Sequence, residues 1–379
     1  MSAERLVVSS SNSSHDPWSL INDGPLTESI RTHLEAAPAP NLVEFYVSDR
    51  CALRCKYCFH GDVHSKSAGL DYGEWQQAIE QFVELGTRRL HFAGREPFLS
   101  PDFIPLVRWL GSRRERSKLC VGAISDGFSC APLIPQLRDA PLDYLDISID
   151  GVRADHDRLR GRGTYDRALR AIELLITSLP ELCVSVASVL SPDNAPNVIR
   201  FIDELRQHGV RRFYFQPVQP LGSARNMTQL TPADLRRTVL QLRDELALGR
   251  FAGCGLSVMM FVPVEYLPEV ASGDQWMEAR VTDSLYRGRS SFELSGNRFI
   301  TDFEIARVPF NNHVIVSHDG YLLARFGFRS VPDYDFASPG NLRSASARDL
   351  LAKARAMTLS SMTLDSAPFA YDGALHILQ

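Results

Sequence analysis

Short apolar segments alternate with helical segments through the middle of this chain, and that alternation restricts the fold more than any other feature. Six apolar runs have the length and composition of buried strands, over residues 42–47, 89–93, 119–124, 144–149, 182–190 and 212–218. Between them the apolar residues recur at helical spacing, most clearly over 71–85 and 165–179. The pattern predicts right-handed βαβ units that share a parallel sheet.

The predicted fold class is therefore α/β. Six such units form either an open doubly wound sheet or a partial (β/α)6 barrel of the TIM type, and periodicity alone does not choose between them. In both architectures, ligands bind at the carboxyl ends of the strands. Polar residues that follow a predicted strand are consequently the candidates for a functional site.

The strand and helix pattern divides the chain into three parts. Residues 1–40 are polar and Ser-rich with one short amphipathic helix over 26–36, and we expect them to be a leader segment. Residues 41–225 are expected to form the α/β domain, and residues 226–379 a smaller α+β extension. Within the extension, His318-Asp319-Gly320 lies between two apolar runs and predicts a β-hairpin.

Charge and hydropathy exclude two classes of partner. The formal net charge of -4 gives no basic footprint for nucleic acid. No apolar run approaches the roughly 20 residues that span a bilayer, and the first residues lack the apolar core of a secretory signal. We therefore expect a cytoplasmic protein with neither a nucleic-acid nor a membrane partner. Its seven cysteines are then expected to be thiols or metal ligands rather than disulfides.

Three of the cysteines, Cys51, Cys55 and Cys58, have the spacing C-x3-C-x2-C directly after the first predicted strand. Random placement of seven cysteines rarely produces this spacing, which lets three thiolates of one loop turn toward a common centre. A [4Fe–4S] cluster normally takes four cysteines, so three leave one iron open for a substrate or cofactor. The alternative is a zinc knuckle with His60 or His64 as the fourth ligand.

This loop, with the aromatic residue Tyr57 before its last cysteine, resembles the radical S-adenosylmethionine (radical SAM) superfamily over about residues 42–218. The resemblance implies the partial barrel, one [4Fe–4S] cluster, and S-adenosylmethionine chelated to the open iron through its amino and carboxylate groups. It further implies reductive cleavage of the cofactor to a 5′-deoxyadenosyl radical, which takes a hydrogen atom from the substrate. Tyr57 is then expected beside the adenine, and an external flavodoxin- or ferredoxin-type protein is expected as electron donor.

The segment after the second strand, Ala93-Gly94-Arg95-Glu96-Pro97, resembles the family's Gly-Gly-Glu-Pro motif, which binds the methionyl amine. The resemblance assigns Gly94 and Glu96 to that amine, and a carboxylate is a suitable partner for an ammonium group. Arg95 replaces the second glycine, and we expect its backbone to be strained there. The alternative is that Glu96 is an ordinary surface turn residue.

Two further strand ends resemble the family's cofactor-binding segments. Ser125-Asp126-Gly127, after the third strand, is close to the family's Thr-Asn-Gly and makes Ser125 a candidate. Ser148-Ile149-Asp150-Gly151, after the fourth strand, resembles the segment that bonds the cofactor ribose, which makes Ser148 and Asp150 candidates. The alternative for Asp150-Gly151 is a simple turn.

The remaining candidates concern the carboxylate and the adenine of the cofactor. The resemblance pairs Arg160 with the carboxylate, a task that suits a planar guanidinium, and an exposed charged loop is the alternative. Ser188, near the end of the fifth strand, is a candidate for the same carboxylate. Residues 216–222 resemble the segment beside the adenine, with a Pro-rich domain boundary as the alternative.

The C-terminal part resembles the SPASM extension of the same family over residues 314–328 and 340–342. SPASM extensions carry auxiliary iron–sulfur clusters, but the last cysteine here is Cys254, and Arg325 stands where a ligand is expected. We therefore predict a single cluster, and we expect the hairpin to serve as a lid over the substrate.

Three hypotheses on function follow. The first is a radical SAM enzyme of natural-product tailoring that acts on a small metabolite such as a sugar, nucleoside or amino acid. The leader is shorter than the usual peptide-docking domain, and a peptide-modifying enzyme is the alternative. The second hypothesis is a non-catalytic metal-binding protein on a degenerate scaffold. The third, a plain sugar- or nucleotide-binding α/β enzyme, is disfavoured because the chain has no Gly-rich phosphate loop. The sequence identifies no catalytic acid, base or hydrogen donor.

Overall fold

The computed structural model describes residues 39–61, 68–113, 118–263, 266, 269–270, 280–281, 287–294, 296–304, 313–324 and 338–363. The predicted leader helix over 26–36 lies outside these residues, as do His64 and Arg325. Within the described part of the chain, no helix combines the length and the apolar character needed to cross a lipid bilayer.

All six predicted strands are present, with bounds that differ from the predicted ones by one or two residues. They are β1 (Leu42–Phe45), β2 (Arg89–Phe92), β3 (Cys120–Ser125), β4 (Tyr144–Ser148), β5 (Cys183–Leu190) and β6 (Arg212–Pro217). Each strand pairs in parallel with the next one along the chain. The apolar runs therefore form the parallel sheet that their alternation with helices predicts.

Helices lie between these strands and after β6. They are α1 (Tyr72–Leu85), α2 (Phe103–Gly111), α3 (Arg153–Arg160), α4 (Thr164–Ser178), α5 (Val198–Gln207) and α6 (Pro232–Ala247). The sequence pattern does not predict α3, because its mostly polar residues carry no apolar period. The helix predicted near 133–137 is a 3-10 helix over Ala131–Arg138, since Pro135 inside it cannot donate an α-helical hydrogen bond.

The main core lies between the sheet and the helices. Phe45, Phe92 and Trp75 are buried in it with edge-to-face or tilted ring contacts around Phe45. Strand residues one position further point to the opposite face of the sheet. There Tyr46 and Ala93 belong to a second, smaller apolar cluster.

The sheet continues beyond β6 with four strands that the sequence pattern does not predict, because the alternation of strands and helices stops after α6. They are β7 (Ser257–Val262), β8 (Arg280–Val281), β9 (Arg287–Leu294) and β10 (Asn297–Glu304). β7 pairs in parallel with β6, and β10 pairs in parallel with β7. β9 and β8 then continue the sheet with antiparallel pairing.

At the other end of the sheet, β11 (His313–Val316) pairs in parallel with β1, and β12 (Leu322–Ala324) pairs antiparallel with β11. The predicted hairpin is therefore confirmed, and its role as a lid over the substrate stays a prediction. The hairpin lies in the sheet beside β1, where it satisfies backbone groups that an open strand edge leaves unpaired. Helix α7 (Ala347–Thr363) follows.

The strand order among the described residues is β12-β11-β1-β2-β3-β4-β5-β6-β7-β10-β9-β8, and the two ends do not pair, so the sheet is open. The sheet contains strands from both sides of residue 225, where the sequence predicts a domain boundary. β11, β1 to β7 and β10 run in the same direction. Their carboxyl ends form one rim, which carries the segments predicted to hold a ligand.

Candidate functional site

The cysteine loop, residues 51–58, begins at the carboxyl end of β1 and is held by backbone hydrogen bonds from three other strand ends. Lys56 N donates to Leu159 O at 2.9 Å, and Ser223 N donates to Cys58 O at 2.9 Å. Glu96 N donates to the carbonyl of Arg50 at 3.0 Å. The loop is therefore positioned by the segments that follow β2, β4 and β6.

Gly222 lets the segment after β6 approach the cysteine loop closely. Its φ is +52°, and a Cβ atom there would lie 2.2 Å from the carbonyl oxygen of Phe59 and 2.5 Å from that of Cys58. Neither backbone oxygen can yield without moving the loop. The sequence places residues 216–222 beside the adenine, and the structure shows that this segment also supports the loop. The glycine in an otherwise Pro-rich segment is the signal for that role.

The three loop thiols influence one another electrostatically. Burial above all raises the pKa of the Cys55 thiol to about 12, a net value to which Asp150, Cys58 and Cys51 also contribute and which Arg160 opposes. Burial also raises the pKa of the Cys51 thiol, on which Glu96, Asp126 and Cys58 act in the same direction, while a hydrogen bond from Leu53 N opposes it. Thiols with raised pKa values stay protonated until a bound cationic centre lowers those values. The donor set therefore fits a metal centre.

The structure also describes His60, the proposed fourth ligand of a zinc knuckle. In the described part of the chain, no three His, Cys, Asp or Glu side chains converge closely enough to hold one metal ion. His60 packs against the rings of Tyr46 and Phe59 and hydrogen-bonds to the backbone of Gly94. Its Nε2 atom is buried and has no hydrogen-bond partner among the described residues.

In the segment after β2, Gly94 is the residue whose position requires a glycine. Its φ is +93°, and a Cβ atom there would lie 2.6 Å from Cγ of Tyr46. The strain expected at Arg95 is not found, because Lys118 is the one non-glycine residue with positive φ among those described. Arg95 has ordinary backbone geometry, and its Nη1 atom donates to the carbonyl of Gly61 at 3.5 Å. The expectation was wrong because the left-handed position lies one residue earlier.

Glu96 is buried, with 1% of its surface exposed, which excludes the alternative of a surface turn residue. Its Oε1 atom accepts hydrogen bonds from Ser125 Oγ at 3.1 Å and from Phe98 N at 3.2 Å. Its Oε2 atom accepts one from Asp126 N at 2.7 Å. Burial and the charge of Asp126 raise the pKa of Glu96 well above its usual value.

Asp126 is a site residue that the sequence analysis quotes within a motif but does not single out. Its carboxyl group is hydrogen-bonded to that of Glu96, and burial raises its pKa. Its two oxygens also accept hydrogen bonds from Ser129 N at 2.8 Å and from Ser129 Oγ at 2.7 Å. The signal for it is the carboxylate that stands where the family motif has an amide.

A second buried group lies on the other side of the loop and contains Tyr57, Asp150 and Arg160. The Tyr57 hydroxyl donates to Asp150, and Arg160 Nε donates to the same carboxylate oxygen at 2.5 Å. The Arg160 guanidinium also lies 5.3 Å from the centre of the Tyr57 ring. The sequence assigns Asp150 to the ribose and Arg160 to the cofactor carboxylate, whereas the structure pairs these two residues with each other.

Ser148 and Ser188 lie apart from these two groups. Ser148 is buried at the end of β4, where strand alternation places it on the same face as Asp150. Ser188 alternates in β5 with the core residues Val186 and Leu190, so it lies on the face that packs against the helices. The Ser188 hydroxyl is buried and has no hydrogen-bond partner among the described residues.

The fold and the site together define the class of the protein. Residues 45–205 match the model of the Radical SAM superfamily, and this range contains the cysteine loop and the segments after β2, β3 and β4. The chain therefore contains a radical SAM domain, and the predicted resemblance is confirmed for that domain. Members of the superfamily use a [4Fe–4S] cluster and S-adenosylmethionine. The SPASM-like character of the C-terminal part stays a prediction.

The chain is similar to several characterised members of this class. It is 29% identical over 235 residues to a PqqA peptide cyclase of Ruegeria pomeroyi, a match that covers 60% of this chain and 60% of that protein. It is 26% identical over 203 residues to an AdoMet-dependent heme synthase of Methanosarcina barkeri, which covers 52% of this chain and 56% of that protein. The chain thus spans less than two thirds of the length of these relatives.

A solved structure has the same fold. The structure of Streptococcus suis SuiB bound to S-adenosylmethionine superposes with a TM-score of 0.63 at 14% identity, covering 90% of this chain and 74% of that one. The predicted α/β partial barrel of parallel strands is therefore confirmed, with an open sheet and with more parallel strands than the six predicted.

Proposed function

We propose that this chain is a radical SAM enzyme that binds one [4Fe–4S] cluster through Cys51, Cys55 and Cys58. When bound, the cluster and S-adenosylmethionine supply reductive cleavage of the cofactor to a 5′-deoxyadenosyl radical that abstracts hydrogen from a substrate. An external electron donor of flavodoxin or ferredoxin type provides the electron. The observation that carries the proposal is the three-thiol loop fixed at the carboxyl rim between two buried polar groups.

The residues after β2 and β3 are proposed to hold the methionyl amine. The Oε1 atom of Glu96 already accepts from Ser125 Oγ and Phe98 N, whereas Oε2 accepts only from Asp126 N among the backbone donors and has a further lone pair for the amine. Gly94 lets the backbone pass close beside the Tyr46 ring, which positions the segment that carries Glu96. The N–H groups of the methionyl amine find a carboxylate acceptor beside this carboxyl pair, in a region from which water is largely excluded.

The residues after β4 and β5 are proposed to lie along the rest of the cofactor. Tyr57 offers a ring face beside the loop, and Arg160 offers a buried cation for a carboxylate. Ser148 lies on the face of Asp150 and is a candidate for a ribose hydroxyl. Ser188 is a candidate for the carboxylate only if its side of β5 opens, because its hydroxyl lies with the core residues.

The substrate is proposed to be a small metabolite, and a peptide is the second candidate. An AdoMet-dependent heme synthase among the relatives is named for a small-molecule product. A PqqA peptide cyclase among them, and the structure of SuiB bound to the precursor peptide SuiA, favour the peptide. A short peptide encoded beside this gene that accelerates 5′-deoxyadenosine formation supports the second candidate. Acceleration by a protease-treated extract of small molecules supports the first.

Replacement of Cys51, Cys55 and Cys58 by Ala tests the cluster assignment. The anaerobically reconstituted variant is expected to be colourless and to lose nearly all iron and acid-labile sulfide, because no thiolate of the loop remains. The matched control replaces Cys120, Cys183 and Cys254, which lie outside the loop, and should keep the iron. Full iron in the loop variant would contradict the assignment.

The reaction itself is tested by anaerobic incubation of the reconstituted protein with reductant and S-adenosylmethionine. We expect 5′-deoxyadenosine and methionine to form in equal amounts, and we expect the loop variant to form neither. An intact cluster that supports no cleavage would favour the second hypothesis, a non-catalytic scaffold.

A further inference from the structure

The guanidinium of Arg160 lies between a buried carboxylate and a cysteine of the loop. Its Nε atom donates to Asp150 Oδ2 at 2.5 Å, and its Nη2 atom is 3.5 Å from Oδ1 of the same residue. Its Nη1 atom faces the Sγ atom of Cys55 at 4.0 Å. The Asp150 carboxylate therefore lies along the Nε edge of the guanidinium, and the Nη1 group of the cation points toward the Cys55 sulfur.

Asp150 is held so firmly that Arg160 has one favourable position. Asp150 is fully buried, and its Oδ1 atom accepts from Val189 N at 2.8 Å. Its backbone is fixed on both sides, since its N–H donates to His156 Nδ1 at 3.2 Å and its carbonyl accepts from Asn194 Nδ2 at 3.2 Å. If Arg160 moved away from Asp150, it would leave an uncompensated charge in the interior, which is strongly unfavourable.

We propose that Arg160 is a positioning residue for the reduction step, held by Asp150 and Tyr57 against the Cys55 sulfur, where it raises the reduction potential of the cluster. This inference rests on the proposed function, because it requires that Cys55 is a cluster ligand. Reduction adds one negative charge to the cluster. A donor and a cation directed at a ligand sulfur stabilise the reduced state more than the oxidised state.

The role is distinct from the one that the family resemblance gives to Arg160. Pairing with the cofactor carboxylate requires the cofactor, whereas a cation at the Cys55 sulfur acts on the cluster with or without it. The two roles therefore separate in a measurement of the cluster alone. The informative quantity is the midpoint potential of the [4Fe–4S] couple in the full-length reconstituted protein before S-adenosylmethionine is added.

Arg160→Gln is the main variant, with the potential followed by a redox titration of the reduced-cluster EPR signal. At a fixed solution potential, we expect the ratio of reduced to oxidised cluster to fall at least tenfold, which is a shift of 59 mV for a one-electron couple. Arg160→Lys keeps a cation on a flexible stem and should recover part of the shift. Tyr57→Phe removes one hydrogen bond to Asp150 and no charge, and should move the potential in the same direction by less.

The matched control is Arg158→Gln, two residues earlier in α3. Arg158 is 43% exposed in its side chain and pairs with Asp155 and Asp193 away from the loop. The cluster of the Arg158→Gln variant should have the same midpoint potential as that of the unaltered protein. An unchanged potential in Arg160→Gln and Tyr57→Phe with full iron and sulfide would overturn the inference and leave the proposed function intact. Absence of a cluster in the unaltered protein would instead defeat the proposed function. If Arg160→Gln holds no cluster, the Lys and Phe variants decide the question.

Discussion

The two sides of the candidate site contain similar buried groups with different charge balance. On the side that follows β2 and β3, Glu96 and Asp126 are two buried carboxyl groups with no close ion pair to a described residue, although the charge of Arg160 partly offsets the rise in the pKa of Asp126. On the side that follows β4, Asp150 is as deeply buried but forms an ion pair with Arg160 and accepts a hydrogen bond from Tyr57.

The difference indicates which side changes its protonation when the cofactor binds. A buried carboxyl pair without a cation retains a proton, because burial and mutual repulsion disfavour its full ionisation. The Glu96 side can therefore lose that proton and accept hydrogen bonds from the methionyl amine instead. The Asp150 side is already neutral overall, so it supports the loop without needing a ligand.

The largest expected difference between the two sides is in stability. Asp150→Asn removes one partner of a buried ion pair, and we expect it to lower the free energy of unfolding by about 3–5 kcal/mol. Glu96→Gln breaks no ion pair, but its NH2 group must face one of the backbone donors Phe98 N and Asp126 N, so we expect a smaller loss of about 1–3 kcal/mol. Urea unfolding of the cluster-free proteins, followed by circular dichroism, measures both.

Asp203→Asn is the control for loss of an ordinary ion pair. Asp203 accepts from Arg206 at 2.9 Å and from Arg250 at 2.6 Å, but these groups are partly exposed. Solvent screening should limit the loss to about 1 kcal/mol or less. Equal losses for Asp150→Asn and Glu96→Gln would remove the distinction between the two sides.

The next largest effect is expected on cofactor affinity, when Glu96 is replaced by Gln. Glu96→Gln removes a charged acceptor worth about 1.5–3 kcal/mol to the N–H groups of the methionyl amine, so S-adenosylmethionine should bind roughly 10- to 100-fold more weakly. The iron content should stay unchanged, since Glu96 is not a loop thiol. Isothermal titration of the reconstituted protein gives the affinity. Glu80→Gln, which alters an exposed pair with Arg113, should bind normally, and normal binding by Glu96→Gln would exclude Glu96 from the amine site.

Features that depend on local sequence could be predicted. The six strands follow from compact apolar runs, and the cysteine loop follows from the spacing of Cys51, Cys55 and Cys58. Glu96 could also be singled out, because its motif is continuous along the chain. In each case neighbouring residues contain the whole signal, and the fold only has to place that segment at a strand end.

Features that depend on distant pairing could not be predicted. β11 joins β1 across about 270 residues, and no local pattern indicates that Val314 will pair with Val43. The Asp150–Arg160 ion pair escaped prediction for a similar reason, since each residue matches a motif with its own cofactor role. The role of Gly222 depends on the position of the Phe59 carbonyl, which only the folded loop defines.

The smallest expected effect is on the pH dependence of cofactor affinity. It should differ between Asp126 and the asparagine that the family motif has at this position. The pKa values of Glu96 and Asp126 are raised by burial, and that of Glu96 also by the charge of Asp126. At a pH where exposed carboxyl groups are ionised, the empty pair keeps a proton that competes with the hydrogen bonds from the methionyl amine. Cofactor affinity should therefore rise with pH, by at most tenfold per unit, and level off once the pair is ionised.

Asp126→Asn should flatten that profile. The amide keeps the shape and removes the charge that helps to raise the pKa of Glu96, so the proton leaves at lower pH and competes less. The measurement is the affinity for S-adenosylmethionine between about pH 6 and pH 8, with proton release determined from titrations in buffers of different ionisation enthalpy. Parallel profiles for the variant and the unaltered protein would show that Asp126 only orients Glu96, and that the empty site holds no exchangeable proton in this range.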